Sequence, residues 1–151
     1  MNLKGQGTTE YLIILAVVIV IALVVAGVLG FFPGFAAGIS EQESKAYWQS
    51  TSPLALSDWK VESTAANARF TLRNNTIDKL QVTEITVNGA AIGAVDQNIA
   101  AGASATISGA TGISCTSGSS YQYEVSVAYD VVGGISGKTL RGLKPIIGTC
   151  P

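Results

Sequence analysis

From Leu12 to Phe32, 21 consecutive residues carry neither a charge nor a strongly polar side chain. As a helix rising about 1.5 Å per residue this run is roughly 32 Å long, close to the roughly 30 Å hydrocarbon thickness of a bilayer. Its many Val and Ile residues disfavour helix mildly in water. In lipid every backbone N–H and C=O must be satisfied within the segment, and that requirement overrides the preference. The chain is therefore expected to carry one membrane-length helix. Lys4 is the single basic residue ahead of it, which favours a cytoplasmic N-terminus with the bulk of the chain outside. Pro33 and Gly34 close the run and predict a break or kink.

Beyond Pro33 the composition becomes that of a soluble domain. With 151 residues, 48% hydrophobic and 13% charged, there is room for one domain and one extra element. Of the nine Lys and Arg only Lys4 precedes Pro33, and of the ten Asp and Glu only Glu10 does. The remaining charges are interspersed and the net charge is −1, so no basic field exists to hold a nucleic-acid backbone and no nucleic-acid partner is expected. The chain has no histidine and two cysteines, which removes the usual general base and most zinc sites. A Ser/Lys dyad or an Asp pair stays open on composition, but no nucleophile elbow, phosphate loop, dinucleotide fingerprint or calcium loop is present. The expectation is a non-enzyme with no catalytic residue, metal or cofactor.

The apolar run admits three uses. As a removable secretory signal it would need Val24-x-Ala26 as its cleavage site, yet it is longer than such a region, continues past that site, and has the acidic Glu10 just before it. As a single-span anchor it is long enough. The third use comes from the residues in front of it. MNLKG is followed by QGTTEY and then by the unbroken apolar segment, a pattern over about Met1 to Phe32 that resembles the class III signal sequence of archaeal type IV pilin-like proteins. Gln6, Thr8, Glu10 and Tyr11 occupy the positions at which that family carries Gln, Ser, Glu and usually Tyr; Thr8 replaces Ser, and Ile14 stands where Leu is frequent.

The resemblance implies cleavage between Gly5 and Gln6 by a membrane prepilin peptidase, leaving residues 1–5 as a leader and the apolar helix in the mature chain. A new α-amino group at Gln6 would then stand four residues from Glu10. When such helices leave lipid and bundle, an unpaired carboxylate is costly to bury, so pairing of Glu10 with a neighbour's amine would set register. The competing reading is a solvated carboxylate favoured by the helix dipole at an N-terminus. Tyr11 belongs to the same motif. Ala22, Ala26 and Gly30 recur every four residues as a small-residue stripe along which helices can approach closely, although such residues are common in any apolar segment.

Residues 39–50 read as a short polar helix or stalk, with Ser40 and Glu43 in capping-box spacing and with Tyr47 and Trp48 placed either at a membrane interface or against the following domain. From Pro53 the period becomes two. Ala68, Phe70 and Leu72 alternate with Arg69, Thr71 and Arg73, and Tyr121 to Val131 alternate over the whole of YQYEVSVAYDV. Asn88-Gly89 is a two-residue hairpin signal, Gly133-Gly134 a second turn, and the apolar phase slips between Val82 and Ile85 as a bulge would make it. The pattern predicts an α+β chain: a leader over 1–5, a hydrophobic helix and polar stalk over 6–50, and an extracellular antiparallel β-sandwich of about six to eight strands over 51–151.

Two cysteines in an extracellular domain predict a Cys115–Cys150 disulfide, the alternative being two buried thiols. Asn74-Asn75-Thr76 meets the N-glycosylation pattern and predicts a glycan on Asn74 in a surface turn, the alternative being an unmodified polar turn. Lys138, Arg141 and Lys144 read as a solvated strand and turn. The resemblance implies a structural subunit of a surface filament, whose partners are copies of itself or related pilins, the prepilin peptidase, the assembly machinery and, before assembly, the membrane. The alternative is a cell-surface protein with a β-sandwich binding domain on a single-span anchor that never polymerises.

Overall fold

A computed structural model describes residues 6–30, 33–63, 67–93 and 95–151, and the side chains within them except those of residues 6 and 28–39. Two helices come first, α1 (Gln6–Gly30) and α2 (Pro33–Gln49), followed by ten strands. The chain divides into two compact units between Ala37 and Gly38, inside α2.

Helix α1 is the apolar run of the sequence extended forward to Gln6. Pro33 opens α2, a position at which its missing N–H is no loss because the first helical donors have no intrahelical acceptor. Ser40 consequently lies inside α2 and is not its N-cap. The capping-box reading of Ser40 and Glu43 is corrected: Pro33 and the Ala residues that follow start the helix two turns earlier.

The second unit holds the strands β1 (Leu54–Val61), β2 (Asn67–Asn74), β3 (Leu80–Val87), β4 (Ala90–Ala91), β5 (Gln97–Ile99), β6 (Ser104–Ala110), β7 (Ser120–Tyr123), β8 (Val125–Val131), β9 (Lys138–Arg141) and β10 (Ile146–Thr149). The surplus over the expected six to eight consists of pieces of two to four residues. All pairings are antiparallel and form three sheets: β1-β2-β6, β10-β7, and β4-β3-β8-β9 with β5 paired to the start of β3.

Local chemistry explains the connections. The β3–β4 hairpin closes on Asn88 (φ 48°) and Gly89 (φ 81°), both left-handed, so that Val87 pairs with Ala90. The register of β3 against β8 shifts between Val82 and Glu84, where the sequence slips phase. YQYEVSVAYDV is not one strand. It breaks at Glu124, β7 pairing with β10 and β8 with β3 and β9, while Tyr121, Val125, Val127 and Tyr129 all remain buried.

One apolar core collects side chains from every sheet, among them Leu54, Leu56, Phe70, Leu72, Leu80, Val82, Ile85, Val127 and Ile146. Trp48, from the last turn of α2, is fully buried in it, which decides between the two placements open for that residue. Its six-membered ring lies over Gly142, where a Cβ would overlap the indole. Nearby, the Leu143 N–H donates to Tyr47 Oη at 2.8 Å and Ser44 Oγ donates to the Pro145 carbonyl at 2.7 Å, so α2 is held by packing and by hydrogen bonds to the β9–β10 connection. The Lys144–Glu43 pair, 3.8 Å apart and largely exposed, adds little.

Candidate functional site

The segment that departs most from an ordinary soluble chain is α1. Residues Gly7–Gly27 are long and apolar enough to cross a membrane. None of its apolar side chains from Tyr11 to Val25 is buried, the exposures of the larger ones running from 41% at Leu15 to 67% at Leu23. A contiguous apolar surface of this size is what a membrane anchor or a signal sequence presents.

Glu10 stands in the second turn of α1 with its side chain exposed, two residues before the charge-free run begins at Leu12. Gln6 is the first helical residue, so Glu10 sits about one turn further along the helix. Tyr11 follows, 65% exposed. Ala22 and Ala26, four apart and both exposed, fall on one face of α1. Gly30 ends the helix in phase with them. Gly5 lies outside the described residues, as do the surroundings of Gly30 and the Gln6 side chain, so the cleavage position is not placed here.

The second unit carries the other predicted positions. Cys115 and Cys150 form a disulfide with Cα atoms 5.8 Å apart. Cys150 follows β10 and Cys115 precedes β7, so the bridge ties the connection in front of the two-stranded sheet to the residue that ends it. Main-chain bonds from Cys150 N–H to Ser119 O (2.9 Å) and from Gly118 N–H to Cys150 O (3.0 Å) continue that pairing.

Asn74 is a correction. It is fully buried, Nδ2 donates to the Asp78 carbonyl at 2.7 Å and to the Ile99 carbonyl at 3.1 Å, and Oδ1 accepts from the Thr76 N–H and hydroxyl at 2.9 and 2.7 Å. A glycan bonded to Nδ2 would replace one of those donors and have to occupy core volume. The fold leaves no room for it, and the Asn74 glycosylation reading is withdrawn. What the tripeptide marks is an Asx turn whose amide points inward.

A shallow polar depression of about 310 Å3 lies between the β3–β4 hairpin and the end of β9, lined among others by Thr86, Asn88, Glu124, Ser126 and Arg141. Asn88 Oδ1 accepts from the Glu124 N–H there at 2.8 Å, and so serves to fasten the hairpin to β8. Among the described residues no group of three or more His, Cys, Asp or Glu is arranged to hold a metal ion. Two phenols are perturbed: burial pushes Tyr121 above its ordinary value of 10.0, partly opposed by a backbone hydrogen bond with Val61, and burial pushes Tyr129 up as well. Both belong to the core.

No protein-family model matches this chain, and no curated protein matches it at a significant level.

Proposed function

We propose that this chain is a structural subunit of an archaeal type IV pilus-like surface filament, polymerising through α1, with the strand-bearing unit outside. The observation that carries the reading is the pairing of an all-round apolar α1 with a single carboxylate, Glu10, just ahead of it, behind the Lys-Gly-Gln start that resembles a class III signal sequence. A simple anchor needs the apolar length, and for it Glu10 is no more than a solvated carboxylate near the helix N-terminus. A filament core built of such helices needs both: the apolar surface replaces lipid with neighbouring helices, and the carboxylate meets the α-amino group that cleavage before Gln6 creates on a neighbour. Ala22, Ala26 and Gly30 supply a face on which those helices approach closely.

Before assembly the chain sits in the membrane with its N-terminus in the cytoplasm and residues 51–151 outside, where the Cys115–Cys150 bridge is stable against cytosolic reductants. The sheets β1-β2-β6 and β4-β3-β8-β9 share one core, and in this reading they face each other across it as a β-sandwich on the filament exterior.

A non-polymerising surface protein on a single-span anchor is the competing reading, since Gly7–Gly27 has the length for it. A filament fraction sheared from cells and probed for this chain separates the two, and Glu10→Gln tests the pairing. The substitution keeps size and hydrogen-bonding capacity and removes the charge. If Glu10 pairs in a desolvated core, the variant is processed, inserted and folded but yields few filaments; an exposed pair contributes only about 0–1 kcal/mol and would leave their number unchanged. Normal filament abundance with Glu10→Gln refutes the pairing role.

A further inference from the structure

Strand β6, Ser104–Ala110, ends the three-stranded sheet, and no described strand pairs with its other side. Its sequence, SATISGA, has no charge and no proline, and its pairing with β2 runs in unbroken register from Asn67↔Ala110 to Arg73↔Ser104. Those are the devices by which natural edge strands resist further pairing, and β6 has none of them. The other edges do. The pairing of β1 is broken by a bulge at Ser57, and its outer side is engaged by Trp59 Nε1 donating to Ile147 O at 3.1 Å and by Cys115 Sγ against Val61 O at 3.4 Å. Strand β9 carries Lys138 and Arg141 at its ends, and β4, β5, β7 and β10 are four residues or shorter.

The direction of the free backbone groups follows from β2. Asn74 N–H donates to Ala103 O at 2.9 Å and Asn74 O accepts from Gly102 N–H at 3.0 Å, so the even-numbered residues of β2 turn their peptide groups towards β6. In the observed register these face Ala105, Ile107 and Gly109. The N–H and C=O groups of Ser104, Thr106, Ser108 and Ala110 therefore point away from the sheet, and the same four residues expose their side chains.

We infer that this edge pairs with β6 of a second copy of the chain, antiparallel and two-fold symmetric about Ile107. That register sets Thr106 against the partner copy's Ser108, and Ser104 against Ala110, with about eight main-chain hydrogen bonds across the seam. Hydroxyl pairs of this kind are favourable across strands, and Thr71 Oγ1 and Thr106 Oγ1 already form one at 3.1 Å inside the sheet. Charge does not oppose this partner. Pairing β9 with itself would bring Lys138 and Arg141 of two copies together, whereas the two β6 strands bring no charge to the seam. The nearest cations, Arg69 and Arg73 on β2, end up three strand spacings apart, about 14 Å between strand axes and beyond the roughly 8 Å screening length at physiological salt. The contact is independent of α1. On the filament reading, an isologous contact of this kind would join one filament to another, because two-fold pairing does not propagate along a polar helix.

Amide hydrogen exchange on the full chain in detergent micelles, over a range of protein concentrations at fixed detergent ratio, tests it. The Thr106 and Ser108 amides should slow by at least about tenfold as concentration rises, Thr106→Lys should abolish that dependence, and Thr106→Val, which keeps the backbone edge, should retain it. Fast exchange at every concentration overturns the proposal. Slow exchange that ignores concentration also overturns it, by showing that the chain covers its own edge. Neither result depends on whether filaments form, so a failure here is distinguishable from a failure of the filament reading.

Discussion

Asn74 turns all of its amide hydrogen-bonding capacity inward, joining the β2–β3 turn to the end of β5. Replacing it with Asp puts acceptors where two carbonyls need donors. The expected loss is about 2–4 kcal/mol in denaturant unfolding, larger than for Asn74→Ala, which leaves the carbonyls unpaired without adding repulsion. Mass spectrometry of the native protein should find the Asn74 peptide unmodified. Gly142 is constrained from outside, since any side chain there meets the buried Trp48 ring. Gly142→Ala should cost about 1–3 kcal/mol and shift Trp48 fluorescence, because the indole must move or the β9–β10 connection must yield. Tyr121 gives the unit an alkaline limit. Burial holds its folded value above the 10.0 of the unfolded chain, so its contribution is intact below pH 10 and is lost as pH rises from there through the folded value. Stability measured across that window should fall less steeply for Tyr121→Phe than for the wild type.

Strands β7 and β10 form a two-stranded sheet, an element of marginal stability in isolation. The Cys115–Cys150 bridge spans 35 residues of sequence and should contribute on the order of 3 kcal/mol by restricting the unfolded chain. Reduction, or replacement of both cysteines by Ser, should lower the unfolding midpoint and speed amide exchange in β7 and β10 before it does so in β3 and β8, as proteolysis or exchange mapping would reveal. How far these elements were legible in the sequence varies with their physics. Alternation of Ala68, Phe70 and Leu72 with Arg69, Thr71 and Arg73 reports burial on one face, and all six lie in β2. The same alternation ran through YQYEVSVAYDV without a sign of the break at Glu124, because both halves keep their apolar side chains in the core and only their partners change. Pairing partners are long-range information that periodicity does not carry. Asn88-Gly89 was readable because its left-handed backbone demands those residue types. Ser40-x-x-Glu43 misled because a capping box is local, and Pro33 had already started α2.

At the scale of the molecule, a strand-bearing unit with a single apolar core accompanies a helix whose described apolar side chains are all exposed. Such a helix has the length and composition to cross a membrane, and both stand openly in the sequence. The role of Glu10 did not follow from the fold, since an exposed carboxylate in a single chain acquires a partner only in an assembly. Its case rests on position: one turn after Gln6 and two residues ahead of the apolar run. The most direct measurement is the intact mass of this chain in filaments sheared from cells and purified without reductant. The account expects the chain in that fraction, beginning at Gln6, with Cys115 and Cys150 bridged. A chain beginning at Met1 or at Gly27, or one that stays wholly with the membranes after shearing, would contradict it.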